Sequence, residues 1–336
     1  MNLKTNYLGI ELKNPLVIGA SNLVAEPDIL KRLEDVGAGA IVYKSLFEEQ
    51  IQLENLQQYQ TEEDYGARHA EMTSYLPNLQ DAGPELFLHK LRVAKESIGI
   101  PLIASLNAVY EESWVEYAKK IEETGVDAIE LNFYSTPYEF DIMGKAIVQE
   151  QIDTLEAVKS AVKIPVSIKL SPYYTNALYI INEMDKLGVD GFVLFNRLFQ
   201  PDIDIENEKH HYPYNLSNEE DNRLALRYAG LLHGNINASI CSNTGILKGD
   251  DVIKMILAGA DVVQIVSAIY LRGPKVVGKI LEDIKDWMSR KAYKSLADFR
   301  GKLSKNALEE SYTYKRAQYV DILMKSNDIF KKHPIV

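Results

Sequence analysis

Five short polar clusters stand at the ends of apolar runs in this sequence: Lys44-Ser45, Asn132 with Tyr134-Ser135, Lys169, Asn196-Arg197, and Asn243-Thr244-Gly245. Each supplies groups that chemistry uses. Ammonium and guanidinium groups hold anions, carboxamides pair donors with acceptors, hydroxyls move protons, and glycine admits close backbone approach. Lys169 is the sharpest of them. The run Val166-Ser-Ile-Lys-Leu-Ser-Pro sets an amine inside an apolar strand, where an unpaired cation is expensive. The amine must meet a carboxylate of the protein such as Glu130, meet an anionic ligand, or act as a Schiff-base nucleophile in an aldolase-type site.

The elements that must position these groups repeat along the chain. Short β-rich runs fall at Leu16–Ala20, Ala40–Ser45, Pro101–Asn107, Ala128–Tyr134, Val166–Ser171, Gly191–Arg197, Ser239–Gly245 and Val262–Ala268. Amphipathic helical patterns alternate with them at Pro27–Val36, Pro84–Ser97, Glu112–Thr124, Gln149–Val162, Asn176–Leu187, Asn218–Leu232, Asp250–Ala258 and Pro274–Arg290. Gly125, Gly188 and Gly259 each stand where a helix should stop and a residue with positive φ is needed. Apolar strands with little alternation are what a parallel sheet buried on both faces requires. Eight such units predict an α/β fold, a closed (β/α)8 TIM barrel. The open doubly wound sheet is the rival, but its G-x-G-x-x-G loop is not matched by Gly19-Ala-Ser-Asn-Leu-Val. In a barrel all five polar clusters fall at the carboxyl ends of strands, where active sites are built. The loops after the seventh and eighth strands, around Asn243-Thr-Gly-Ile and Gln264-Ile-Val-Ser, are the usual phosphate site of such barrels. Two long connections, residues 46–83 after the second strand and 198–216 after the sixth, are expected to cap the mouth. The barrel is expected to span residues 1–303. Residues 304–336 then form a tail that packs on the barrel or at an oligomer interface.

Composition narrows the function classes. The chain has 336 residues, 46% of them hydrophobic and 25% charged, which suits a folded domain. A formal net charge of -11 argues against nucleic acid as a partner, though not against a small anion held by local cations. One cysteine, Cys241, excludes an internal disulfide, an iron–sulfur cluster of the chain's own and a thiolate zinc site. No metal site is expected, and His210-His211 reads as a solvated pair. No apolar run approaches the roughly 20 residues of a membrane span, and the first ten residues lack a signal-peptide core. A cytoplasmic protein without membrane contact is the expectation.

The chain resembles the dihydroorotate dehydrogenases, flavin mononucleotide (FMN) barrels of pyrimidine biosynthesis. The matching residues are Lys13-Asn-Pro-Leu, Tyr43-Lys-Ser, Leu76-Pro-Asn, Glu130-Leu-Asn, Ile168-Lys-Leu-Ser-Pro-Tyr, Asn243-Thr-Gly-Ile and Ala258-Gly-Ala-Asp-Val-Val-Gln-Ile. Tyr293-Lys-Ser-Leu-Ala-Asp-Phe-Arg-Gly-Lys-Leu resembles the closing segment of the soluble class 1 members. The resemblance implies FMN as cofactor. Ala20 and Ser21 would lie along the flavin, Lys44 and Ser45 would touch its ring or ribityl chain, and Asn132 and Lys169 would bond to its pyrimidine end. Thr244, Gly245, Val266 and Ser267 would hold the phosphate. Lys44, Asn132, Asn196 and Arg197 would face the substrate. Ser135, three residues after Asn132, takes the place of the family's base. It would remove the C5 proton of dihydroorotate while C6 delivers a hydride to flavin N5, with Lys169 also catalytic and Tyr134 as competing base. A homodimer using a small acceptor such as fumarate is implied, and the absence of an N-terminal helical extension disfavours the membrane-associated class.

This chain also departs from the family pattern. Thr136-Pro137 follows the base where the family has Pro-Asn, and Thr73-Ser-Tyr-Leu-Pro-Asn only partly matches the substrate loop. Arg197 replaces a Ser or Thr, and Thr244 replaces the first of two glycines. Lost asparagine pairings would cost roughly 1–3 kcal/mol each, and Arg197 could clamp a carboxylate instead. An FMN oxidoreductase with another pyrimidine or carboxylate substrate, and a flavin-binding barrel without turnover, are the alternatives.

Overall fold

The structure, a computed structural model, describes residues 1–49, 51, 84–135, 137, 140–197, 201–211, 216–309, 314, 320, 323 and 324. The chain opens with an antiparallel hairpin of β1 (Thr5–Tyr7) and β2 (Ile10–Leu12), followed by β3 (Leu16–Ile18) and β4 (Ala40–Val42). A two-residue strand, β5 (Leu46–Phe47), pairs with the upper end of β6 (Leu102–Asn107). Next come β7 (Ala128–Asn132), β8 (Val166–Leu170) and β9 (Gly191–Leu194). The exposed hairpin β10 (Asp202–Asp204) and β11 (Lys209–His211) precedes β12 (Ser239–Ser242) and β13 (Val262–Ile265).

Eight of these strands pair in parallel in the order β4-β3-β13-β12-β9-β8-β7-β6, and β6 pairs back to β4. The sheet is therefore closed, and the fold is the (β/α)8 TIM barrel. Helices follow the barrel strands, at Pro27–Asp35, Glu85–Ser97, Glu111–Glu122, Gly144–Ala161, Ala177–Lys186, Arg223–Leu232, Gly249–Ala258 and Val276–Arg290. Their apolar stripes face the sheet: Trp114, Ala118 and Ile121 of Glu111–Glu122 are buried, and its glutamates and lysines face outward.

All eight expected strands are present; seven end earlier than their apolar runs, and the strand Leu102–Asn107 ends where expected. Ser45, Tyr134, Ser135, Asn196 and Arg197 lie just beyond the carboxyl ends of their strands. One expected helix starts at Gly144 rather than Gln149, and another at Arg223 rather than Asn218, since 218–222 is tied into turns around Asn218. Most of the expected cap at 46–83 lies outside the described residues. Of the cap at 198–216, the structure describes the β10–β11 hairpin and Leu216.

The amino-terminal hairpin closes one end of the barrel. Leu8 and Gly9 both have positive φ, 57° and 78°, the backbone of a two-residue I′ turn. Tyr7, Leu8 and Leu12 pack against Val17, Ala40, Val42, Ile103, Ala128, Val193, Cys241 and Val262. Gly191 makes room for this plug, since a Cβ there would lie 2.4 Å from Leu8 Cδ2. Leu8→Ala should cost about 2–5 kcal/mol by opening a cavity under the barrel, measured as a lower urea midpoint with an unchanged m value. Burial, and secondarily the charge of Glu130, pushes the Cys241 thiol well up, so it sits there as a small neutral residue.

After the last helix the chain crosses the outer layer. Gly301 N donates to Ile256 O at 2.9 Å, Leu303 N to Leu257 O at 2.9 Å and Lys305 N to Gly230 O at 2.8 Å. Among the described residues, no helix is long and apolar enough to cross a membrane.

Candidate active site

The carboxyl ends of the strands converge on one cleft of about 510 Å³, within the range of small-molecule sites. β7 and β8 place Asn132 and Lys169 side by side, because these two residues are partners in the parallel register. Asn196, whose N–H donates to Leu170 O at 2.7 Å, brings its side chain across to donate from Nδ2 to Asn132 Oδ1 at 2.7 Å. The opposite wall carries Lys44 and Ser45, and Ser45 Oγ shares a 2.7 Å hydrogen bond with Ser105 Oγ.

The floor lies deeper. Glu130 is fully buried on β7, with Oε1 3.7 Å from Lys169 Nζ. Gln264 on β13 donates from Nε2 to Glu130 Oε2. The carboxylate anticipated as a partner for Lys169 is therefore present, and the lysine still lines the cleft.

The far end is built from backbone. Thr244 and Gly245 have φ of 75° and 70°, and Thr244 Oγ1 donates to Phe195 O at 3.0 Å. Such a φ is strained for a β-branched residue, so this bond helps hold the turn. The N–H groups of Thr244 and Gly245 donate to no partner among the described residues. Beside them Ser217 Oγ donates to Ser267 Oγ at 2.9 Å, and Ser217 N donates to the same oxygen at 3.0 Å. Asn222 Nδ2 bonds Gly245 O at 3.1 Å and ties the loop to Asp251, the N-terminal anchor of the helix Gly249–Ala258.

Every site residue expected from the sequence lines this cleft except Ser135: Ala20, Ser21, Lys44, Ser45, Asn132, Lys169, Asn196, Arg197, Thr244, Gly245, Val266 and Ser267. Ser135 is half-buried just outside it, while its neighbour Tyr134 contributes to the lining. Tyr173 and Tyr174 do not line it. Tyr174 donates to Gln151 Oε1 at 2.7 Å, and burial pushes its hydroxyl up to about 12. Asn22, Phe47, Leu216 and Ser217 line the cleft without having been singled out. Ser217 directly follows the 198–216 connection, whose length was its only signal.

The cleft differs in charge from the whole. The chain carries -11, yet Lys44, Lys169 and Arg197 line the cleft and, among the described residues, no carboxylate does. Arg197 Nη2 lies 3.4 Å from Asp221 Oδ2 at the rim. Two buried acceptors, Ser21 Oγ and Gln264 Oε1, have no partner among the described residues and belong to side chains that line the cleft. Buried polar atoms are ordinarily paired. These atoms, with the free amides at 244–245 and the cationic floor, fit a ligand that carries ring donors and acceptors and an anionic end, as FMN does. Among the described residues, no cluster of three or more histidine, cysteine or carboxylate side chains could hold a metal ion.

Fold and cleft together define a (β/α)8-barrel enzyme with a cation-bearing site at the carboxyl ends of its strands. A family model described as dihydroorotate dehydrogenase matches residues 2–288. The catalytic subunit of dihydroorotate dehydrogenase B (NAD(+)) from Methanocaldococcus jannaschii is 33% identical over 291 residues, covering 84% of this chain and 92% of that protein. The protein of the same name from Pyrococcus abyssi is 30% identical over 313 residues, covering 89% and 98%. The one from Alkaliphilus metalliredigens is 26% identical over 318 residues, covering 90% and 99%. The chain belongs to the dihydroorotate dehydrogenase family, and it is an oxidoreductase acting on a CH–CH bond.

Proposed function

We propose that this chain binds FMN in the cleft and oxidises dihydroorotate to orotate. The observation that carries the reading is the floor: the Lys169 ammonium beside the Asn132–Asn196 pair, in a cleft whose described lining carries no carboxylate. Bound FMN would supply the acceptor for the electron pair that leaves the substrate's CH–CH bond. Lys169 places positive charge where negative charge grows during the reaction. Asn132 and Asn196 orient an amide-bearing ring. Thr244, Gly245, Val266 and Ser267 hold the phosphate, with Ser217 beside them. Ser135 takes the proton, and Tyr134 is the competing hydroxyl. A serine is a weak base, so it acts through a relay such as a water.

Arg197 favours a second substrate reading. Its guanidinium lines the cleft and could clamp a carboxylate other than orotate's. The relatives' printed name, catalytic subunit, favours a second electron exit, through a partner subunit rather than a small acceptor used by a homodimer.

The test is the visible flavin spectrum of the purified chain reconstituted with FMN and titrated anaerobically with dihydroorotate. The flavin band should bleach. Ser135→Ala should keep the band and bleach at least ~100-fold more slowly, whereas Tyr134→Phe should match the parent. A band that persists in the parent rejects the substrate. A chain that retains no flavin rejects the cofactor and returns Lys169 to the Schiff-base reading, which borohydride trapping would expose.

A further inference from the structure

The Glu130–Gln264–Lys169 group spans three strands inside the barrel, and its chemistry leaves little freedom. A carboxylate only accepts hydrogen bonds, so the Gln264 amide must turn its NH2 toward Glu130. Its Oε1 is then the end left over. That oxygen is buried and has no partner among the described residues, and Gln264 lines the cleft floor. Glu130 is fully buried and lies 3.7 Å from the Lys169 ammonium through its other oxygen. One carboxylate that touches no part of the cleft thus acts on two side chains that do.

We infer that Glu130 is a positioning residue. It orients the Gln264 amide so that Oε1 accepts a hydrogen bond from an N–H or O–H of the bound ligand, and it sets how much of the Lys169 charge that ligand experiences. With Glu130 in place, the Lys169–Glu130 pair presents a dipole to the cleft rather than a full positive charge. A ligand that becomes more negative in its reduced state is then stabilised by only part of the lysine's field. Gln264 is the specificity element, a single acceptor fixed in direction that selects a ring with a donor at that position. The inference rests on FMN occupying the cleft, as proposed above.

The test compares flavin affinity and flavin midpoint potential in four proteins reconstituted with FMN: the parent, Glu130→Gln, Glu130→Asp and Gln264→Met. Fluorescence titration gives the affinity, and equilibration with reference dyes gives the potential. Glu130→Gln should favour the reduced over the oxidised flavin by roughly tenfold relative to the parent, read as an upward shift of the midpoint, because Lys169 is left uncompensated. Glu130→Asp, which keeps the charge, should return the midpoint to the parent value. Gln264→Met, which keeps the ion pair and removes the acceptor, should weaken oxidised flavin binding about fivefold with the midpoint unmoved. A group that merely holds strands together would lower the melting temperature and move neither quantity. Parent-like affinity and midpoint in Glu130→Gln and Gln264→Met would overturn the inference and leave the proposed function standing. If Glu130→Gln fails to fold, Gln264→Met decides alone, and parent-like affinity overturns the inference. A parent that takes up no flavin overturns both.

Discussion

Gly245→Ala is expected to lower FMN affinity by about 100-fold while leaving the barrel folded. Gly245 has φ of 70°, and a Cβ there would lie 2.6 Å from both Asn218 O and Asn222 N. Those neighbours are backbone atoms, so they cannot swing aside as a side chain could. The left-handed conformation costs a residue with a Cβ roughly 1–2 kcal/mol, and the overlap about 1–3 kcal/mol more. About 3 kcal/mol charged against the bound loop geometry is roughly 100-fold in affinity. The strain should stay local, because Asn222 and Asp251 anchor the loop to a helix start whose other contacts are untouched. Fluorescence titration of FMN into the cofactor-free chain measures the affinity, and thermal melting checks the fold. Thr244→Gly is the companion variant. It relieves the φ of 75° but gives up the hydrogen bond to Phe195 O, so parent-like affinity is expected. Undiminished affinity in Gly245→Ala would remove this loop from the phosphate site.

Lys169→Met is expected to cost about 3–5 kcal/mol of stability and at least ~1,000-fold in turnover. The two losses have different origins. Stability falls because Glu130 is left charged and fully buried without its cation. Turnover falls because positive charge disappears from the floor of the cleft. The double variant Lys169→Met/Glu130→Gln separates them, since it leaves no unpaired charge in the interior. It should recover most of the stability and none of the turnover. Urea denaturation and the rate of anaerobic flavin bleaching give the two readings. A double variant that regained turnover would show that Lys169 serves packing alone.

Much of this architecture is written locally. The strands are legible because a parallel sheet covered on both faces demands apolar residues at consecutive positions, and Leu16–Ile18, Ala40–Val42 and Gly191–Leu194 meet that demand. The glycine exits at 125, 188 and 259 are legible because positive φ at a helix end is a local requirement. The site was legible for a related reason: a polar residue ending an apolar strand has few places to go except the mouth of the barrel. The family motifs carried the same residues to particular roles, and the cleft gathers all of them but Ser135.

What escaped the sequence depends on contacts between distant segments. The β1–β2 hairpin is three residues per strand, too short for a periodic signal, and its value comes from packing under Val193 and Cys241 on the far side of the chain. Glu130 and Gln264 stand 134 positions apart, and neither spacing nor residue type announces that one orients the other. Whether Tyr134 or Ser135 faces the cleft is set by how the backbone leaves β7, which no propensity specifies. The sequence by itself determined the order of strands and helices and the kinds of side chain at each strand end, because those follow from short-range backbone and burial preferences. Ring closure decided which of those side chains meet, how Lys169 is partnered and which acceptors remain for a ligand, because interaction energies act through space and not along the chain.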